Sequence, residues 1–361
     1  MGITRRKFIQ STAAGAVAAT AAGTTFAQSR ARVRWNMPTS WPPHLLLQDS
    51  ATMFADNLAR LTDGEFQIRV YPAGELVPPL EVFDSVQSGT VECAHTWNGY
   101  YIGSSNAIGI DGGLPFGLNA EQHRIWREHA GGAELMDEVY EKFNMRSFLC
   151  GDTDAQMGGW FNTEINRLED LRGLRLRIVG LSGRMYERLG ASTQAIPGGE
   201  ILTALERGVI DGVQFNLPHD DLNLGLHEVA RYYYSPCWTH PCAPLYAIVN
   251  RREWDDLPDD FKEAFRIAAS ATHAEHVAHS QNKDREALNE LLSGEHDVEM
   301  RVFPDDVMEA ASEVNDDIVN EFADEDPDFD RIYPHWKAFL DDIRQLNKVT
   351  RYPLDQFAYE R

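Results

Sequence analysis

Positive charge is scarce in this chain of 361 residues. Its 33 Lys and Arg stand against 56 Asp and Glu, for a formal net charge of −23. Nucleic-acid binding draws its affinity from basic patches, so that class is excluded. So large an acidic excess favours solubility and fits a saline habitat. Long apolar runs are equally scarce, and past residue 27 none is long enough to cross a bilayer. There is no phosphate loop and no dinucleotide fingerprint. Gly180-Leu181-Ser182-Gly183 falls one residue short of a nucleophile elbow, and no matching His-Asp arrangement accompanies it. The four cysteines, Cys93, Cys150, Cys237 and Cys242, match no zinc spacing.

What is present is an ordinary globular balance, 43% apolar and 25% charged, over a length that suits two domains or one bilobed domain. The first 27 residues read as an export signal. Thr4-Arg5-Arg6-Lys7-Phe8-Ile9 has the twin-arginine form, an Ala-rich run follows, and Thr25-Phe26-Ala27 offers small residues for cleavage. No Cys stands directly after that point, which argues against a lipid anchor. A mature chain starting near Gln28 is expected outside the cytoplasm, in the periplasm. In an oxidising compartment Cys237 and Cys242, which bracket a Trp-Thr-His-Pro turn, are candidates for a disulfide. Cys93 and Cys150 sit in apolar, strand-like runs and read as small core residues.

The stretch from Cys150 to Gly180 organises the rest. It reads as a strand, a polar patch, a short turn or helix, and a second strand. In that second strand Leu174, Leu176 and Ile178 share one face, and Arg175 and Arg177 the other. Two readings are open on spacing alone: a surface strand with solvated arginines, or a strand that turns a guanidinium into a cleft to clamp a carboxylate. Gln156, close to the start of the stretch, can supply a neutral donor and acceptor to the same ligand.

Along the chain, periodicity predicts strands over 33–37, 66–71 and 91–96 and helices over 46–61 and up to Gln87, the latter capped by Gly89. The order then recurs. Pro72-Ala73-Gly74-Glu75 opens the first unit and Pro197-Gly198-Gly199-Glu200 the second, followed by a helix to Arg207, Gly208 and a strand over 209–215. Two similar α/β lobes are expected. Further strands are expected over 232–234, 245–250, the latter returning to the first lobe, and 298–303. Asp259 is expected to cap a long helix reaching residue 292, with further helices near 307–321 and 336–346. The last of these is strongly apolar and must pack on something.

Two further groups bear on chemistry. His273, His276 and His279 lie on the long helix, but their order around Glu275 matches no zinc-protease motif, and a solvated helix face is the reading preferred. Trp97-Asn98-Gly99-Tyr100-Tyr101 ends a strand, where aromatics and an amide serve either as core or as pocket walls.

Taken in order, several segments resemble the DctP-type solute-binding proteins of tripartite ATP-independent periplasmic (TRAP) transporters, in the α-keto-acid-binding branch. They are residues 71–84, Leu114-Pro115-Phe116-Gly117-Leu118, residues 170–177, residues 208–212, and Leu224-Gly225-Leu226 with the tyrosine run 232–234. The resemblance implies an α/β, two-lobed periplasmic-binding-protein fold with hinge strands, a long bracing helix over 258–292 and a C-terminal helical extension over 331–361. Lobe 1 would comprise 31–154 with about 243–270, and lobe 2 155–242 with about 295–330. It implies a non-catalytic carrier that closes on a small organic acid, a 2-oxo or 2-hydroxy monocarboxylate such as pyruvate or lactate, and hands it to membrane permease subunits. Arg177 would pair with the ligand carboxylate and Gln156 would contact ligand and cation. Gln214, Phe215, Trp97, Asn98, Tyr100 and His240 complete the expected site. The branch also implies a homodimer formed by exchange of C-terminal helices, which the apolar 336–346 segment suits.

Three departures stand out. Gln214-Phe215 occupies the place of a Glu-Trp pair whose acid helps hold a metal ion. Trp238-Thr239-His240-Pro241 replaces a Trp-x-Glu-Pro turn, and Cys237 and Cys242 replace its flanking glycines. With the acid gone, a monocarboxylate and Arg177 already balance, so either no cofactor is required or the ligand is a dianion where a cation is present. Amide oxygens still suit sodium or calcium, so any ion would sit at Gln156, Gln214 and Phe215. The rival expectations are an exported metal-dependent hydrolase using the histidine helix, and a ligand-binding module serving a chemoreceptor.

Overall fold

A computed structural model describes residues 33–360. The proposed export signal and its cleavage point lie outside the described residues. The strands in chain order are β1 (Val33–Pro38), β2 (Phe66–Tyr71), β3 (Cys93–Trp97), β4 (Met145–Asp152), β5 (Gly159–Phe161), β6 (Arg175–Arg177), β7 (Ser192–Gln194), β8 (Gly212–Val213), β9 (Tyr232–Ser235), β10 (Pro244–Asn250) and β11 (Glu299–Val302).

Helix Leu46–Leu61 shows how one crossover forms. Leu47, Ser50, Ala51, Phe54 and Leu58 recur at helical spacing and are all buried, so the helix lays one stripe on the core. Phe54 meets Phe265 edge to face at 4.8 Å, and burial of such a ring is worth about 1.5–3 kcal/mol. Asp63 and Gly64 at positive φ end the helix and return the chain to β2, which pairs in parallel with β1.

β10 is buried at every position and lies between β3 and β4, antiparallel to both. Its unbroken Leu-Tyr-Ala-Ile-Val run is what a strand covered on both faces requires. A parallel bridge from Thr39 to His95 ties the end of β1 to β3. These strands form one lobe. The other is a mixed sheet in the order β11-β9-β5-β8-β6-β7, where Trp160 of β5 stacks on Tyr233 of β9 at 3.9 Å.

Three segments, 153–158, 236–243 and 251–298, carry the chain between the sheets of the two lobes, the last through a long helix. The long helix Asp259–Leu291 contacts both lobes: Asn57 Nδ2 donates to Thr272 Oγ1 at 3.1 Å, and Asp284 accepts the backbone N–H of His219 at 2.9 Å. Pro258, not Asp259, is the N-cap of that helix. Asp259 and Asp260 instead lie in its first turn, where their charge complements the helix dipole.

The expected strand over 209–215 is reduced to Gly212–Val213, although the flanking Asp211 and Gln214 still donate their backbone N–H groups to the Arg175 and Arg177 carbonyls. The expected 336–346 helix is the middle of a longer one, Pro327–Thr350, followed by Tyr352–Tyr359. Phe329, Ile332, Trp336 and Leu340 are buried, while Val349 is 79% and Leu354 66% exposed.

The histidine face is corrected. His273 and His276 are 3% and 1% exposed because the long helix packs on β4 and on helix Leu46–Leu61. The His276 ring spans those two elements, with Nε2 2.9 Å from the Leu46 carbonyl oxygen and Nδ1 3.0 Å from that of Asp152.

Candidate functional site

Arg177 arrives on β6, whose neighbours β8 and β7 pair with it in parallel. Its side chain is 1% exposed. Nε donates to the Ile196 carbonyl and Nη1 to the Gln214 carbonyl, each at 3.0 Å, while Phe215 lies 5.4 Å from the guanidinium carbon. Nη2 has no hydrogen-bond partner. A buried guanidinium with one unsatisfied nitrogen is costly unless an acceptor arrives from outside the fold. The other arginine of the strand goes to the surface, where Nη2 of Arg175 donates to Asp211 Oδ1 at 2.6 Å. Of the two arginines that the spacing left undecided, Arg177 therefore faces the cavity and Arg175 the surface.

Arg177 faces a cavity between the lobes lined also by Trp41, Leu47, Trp97, Tyr100, Thr153, Gln156, Val179, Gln214, Phe215, His240, Ala243 and Leu245. No Asp or Glu stands among these described lining residues, so Arg177 is their one permanent charge. Gln214 Nε2 donates to Gln156 Oε1 at 2.6 Å, and Gln156 Nε2 reaches Thr153 Oγ1 at 3.1 Å and Asn216 Oδ1 at 3.3 Å. Burial, reinforced by the positive charge of Arg177, lowers the His240 pKa to about 3, so the imidazole is neutral.

Trp97 builds one wall. Its indole donates to the Gly112 carbonyl at 2.7 Å and meets His240 edge to face at 5.1 Å. It lies directly over Gly99, where a Cβ would overlap the ring, so glycine is required at that position. Trp41 is held by donation from Nε1 to His95 Nδ1 at 2.8 Å.

Seven of the expected residues thus meet around one cavity: Arg177, Gln156, Gln214, Phe215, Trp97, Tyr100 and His240. Asn98 does not. Its amide is turned into the first lobe, where Nδ2 donates to the Tyr140 hydroxyl at 2.6 Å. It follows Trp97 directly, so when the indole faces the cavity the amide is sent to the opposite side. The expected Cys237–Cys242 bridge is also corrected, since both are free thiols. The Cys237 sulfur is turned into its own turn, 3.1 Å from Thr239 Oγ1 and accepting the His240 backbone N–H at 3.3 Å.

Sequence reasoning missed Trp41, Leu47, Thr153, Val179, Ala243 and Leu245. Trp41 carried a usable signal, because it follows the carboxyl end of β1 as Trp97 closes β3. For an ion, the described lining offers the neutral side-chain oxygens of Gln156, Gln214 and Thr153. These are hard oxygens that suit sodium or calcium, but they bring no negative charge. Among the described residues, no group of three or more His, Cys, Asp or Glu is placed to hold a metal. No described helix is long and apolar enough to cross a membrane.

The chain is 41% identical over 326 residues to the monocarboxylate 2-oxoacid-binding periplasmic protein of Nostoc sp., covering 90% of this chain and 89% of that one. It superposes with a TM-score of 0.89 and 39% identity on a TRAP transporter solute-binding protein from Bordetella bronchiseptica, a mixed-occupancy dimer with calcium and picolinate, covering 91% of this chain and 97% of that one. A TRAP solute-binding protein from Colwellia psychrerythraea with calcium and pyruvate gives a TM-score of 0.86 at 34% identity, covering 90% and 99%. Residues 37–326 match the bacterial extracellular solute-binding proteins of family 7, the DctP family, and the chain belongs to that family as a solute-binding protein of a TRAP transporter.

Proposed function

We propose that the cavity captures a small 2-oxo or 2-hydroxy monocarboxylate, of the size of pyruvate or lactate, and that the chain delivers it in the periplasm to membrane permease subunits. The observation that carries this reading is the unpartnered Nη2 of Arg177, buried in a cavity whose described lining residues include no acid. A carboxylate satisfies that nitrogen and neutralises the guanidinium with charge-assisted hydrogen bonds. The aromatic walls Trp41, Trp97, Tyr100 and Phe215 exclude water around it. The bodies that close are taken as 31–154 with 243–270 and 155–242 with 295–330, braced by the long helix.

A cation is an accessory on this reading. The relatives carrying calcium with pyruvate or picolinate support an ion that accompanies the ligand; its place on this reading is beside Gln156 and Gln214, but ligand and Arg177 balance without it. The exposed apolar C-terminus supports pairing with a second copy, and the first 27 residues support export by a twin-arginine signal. Calorimetry with a panel of mono- and dicarboxylates tests the reading. Tight 2-oxo or 2-hydroxy monocarboxylate binding without turnover is the expected result, and exclusive dicarboxylate binding would refute it.

A further inference from the structure

We propose that His240 sets the preference between 2-oxo and 2-hydroxy acids: hydrogen bonds running from Cys237 through Thr239 hold its imidazole as the Nε2–H tautomer, which donates to a 2-oxo oxygen and disfavours a 2-hydroxyl. The inference rests on the carboxylate reading of the cavity and names what reads the ligand beyond its carboxylate.

The chain of contacts is short and buried. Thr239 Oγ1 lies 3.1 Å from Cys237 Sγ and 3.0 Å from His240 Nδ1, and Cys237 Sγ accepts the His240 backbone N–H at 3.3 Å. Thr239 has one hydroxyl proton, so a continuous chain can run in two directions, while acceptance from both neighbours would strand the hydroxyl proton. In one, the Cys237 thiol donates to Thr239 and Thr239 donates to Nδ1. Thiol and hydroxyl then each donate once and accept once. In the other, Nδ1–H donates to Thr239 and Thr239 donates to sulfur. The sulfur then accepts twice, and the thiol proton is left buried without an acceptor. The first direction satisfies more groups and strengthens along its length. It makes Nδ1 an acceptor and leaves the ring proton on Nε2.

The surroundings keep this assignment in force. Burial pushes the Cys237 thiol up to about 11, so it keeps the proton it donates. Trp97, edge to face at 5.1 Å, holds the ring plane. Nδ1 is taken by Thr239, and Nε2 is the ring nitrogen left for the cavity that His240 lines. Arg177 Nη2 and His240 Nε2 then make two donors. A 2-oxo acid brings only acceptors to them. A 2-hydroxy acid brings a proton of its own against the imidazole N–H and must find it another acceptor. Thr239 does not line the cavity and acts as a positioning residue.

The test is calorimetry of the full chain with pyruvate and with each enantiomer of lactate, in the wild type, Thr239→Val and Thr239→Ser, together with carbon NMR of the His240 ring. Pyruvate is expected to bind about tenfold more tightly than lactate, the cost of one buried unmatched donor. Thr239→Val is expected to narrow that ratio by about threefold or more, and Thr239→Ser to restore it, because serine keeps the hydroxyl. The wild-type ring is expected as the Nε2–H tautomer. An unchanged ratio in a folded Thr239→Val protein, or an Nδ1–H ring in the wild type, overturns the assignment while leaving carboxylate capture standing. Should Thr239→Val fail to fold, the wild-type ring tautomer decides alone. Absence of all carboxylate binding in the wild type overturns both proposals.

Discussion

Asp220 Oδ1 accepts the backbone N–H of Leu46 at 2.8 Å, so a carboxylate from the lobe of β5–β9 caps a helix belonging to the lobe of β1–β4. Leu45, the local N-cap, makes no side-chain cap of its own. The other oxygen of Asp220 accepts from Asn216 Nδ2 at 2.7 Å, and Asn216 in turn accepts from Gln156 at 3.3 Å. One chain of hydrogen bonds therefore joins the helix start to the cavity amides. Asp220→Ala is expected to cost about 0.5–2 kcal/mol from the lost cap and to weaken ligand binding as well. Asp220→Asn, which keeps an acceptor, is expected to lose less of both. Urea unfolding and calorimetry on the two variants check this, and intact affinity in Asp220→Ala would separate the cap from the site.

Arg177→Ala is expected to abolish tight carboxylate binding, a loss of about 2–5 kcal/mol for removing one partner of a buried charge pair. The surface neighbour Arg175 is the control, since its partner is Asp211 and it does not line the cavity. Arg175→Ala is expected to leave the dissociation constant where it was. Equal losses in the two variants would argue against a carboxylate at Arg177.

Gln214→Glu introduces the acid that the resemblance leads one to expect at this place. It places a carboxylate where Gln214 Nε2 now lies 2.6 Å from Gln156 Oε1. That carboxylate would balance Arg177 before any ligand arrives. The variant is expected to bind pyruvate only when sodium or calcium is supplied, while the wild type keeps most of its affinity after chelation and sodium replacement. Strict ion dependence of the wild type would overturn the charge argument.

Asp152 sits at the end of β4 with Oδ1 accepting from the backbones of Asp154 and Ala243 and Oδ2 unpartnered. Burial raises its pKa from the ordinary 3.8 to about 8. The folded chain therefore holds a proton that the unfolded chain releases above about pH 4. Stability from this group is full below that pH and is lost progressively as pH rises to about 8. Asp152→Asn removes the titration, so its stability relative to wild type is expected to improve steadily from pH 5 to pH 8. Urea midpoints at both pH values measure the gap, and a constant gap would show that Asp152 is ionised throughout.

The C-terminal helices end in exposed Leu346, Val349, Tyr352, Leu354, Phe357 and Tyr359. A patch of that kind is expected to be covered by the same segment of a second copy. Removal of the residues after Leu346 is expected to halve the mass measured by sedimentation while leaving ligand affinity within about threefold. An unchanged mass would place the interface elsewhere.

The sequence by itself determined the elements with strong periodicity and clear punctuation. The helix over 46–61 and the strands over 66–71 and 245–250 stand where the pattern puts them, because each satisfies its backbone locally or presents a complete apolar face. The cleft arginine was legible as one of two, since an alternating Leu-Arg-Leu-Arg strand must turn both guanidinia to one side. Tertiary structure alone decided that Arg177 is enclosed and Arg175 solvated, through the placement of Gln214, Ile196 and Phe215 around one and Asp211 beside the other. It also sent Asn98 inward, buried the histidines His273 and His276 beneath a helix that spans both lobes, and turned the Cys237 sulfur towards Thr239 and His240. Apart from the local Cys237 turn, these outcomes depend on contacts between separate segments, from 19 residues apart for Arg177 with Ile196 to 124 for His276 with Asp152. No local pattern encodes such contacts, because the partner groups are backbone carbonyls and amides that every residue carries.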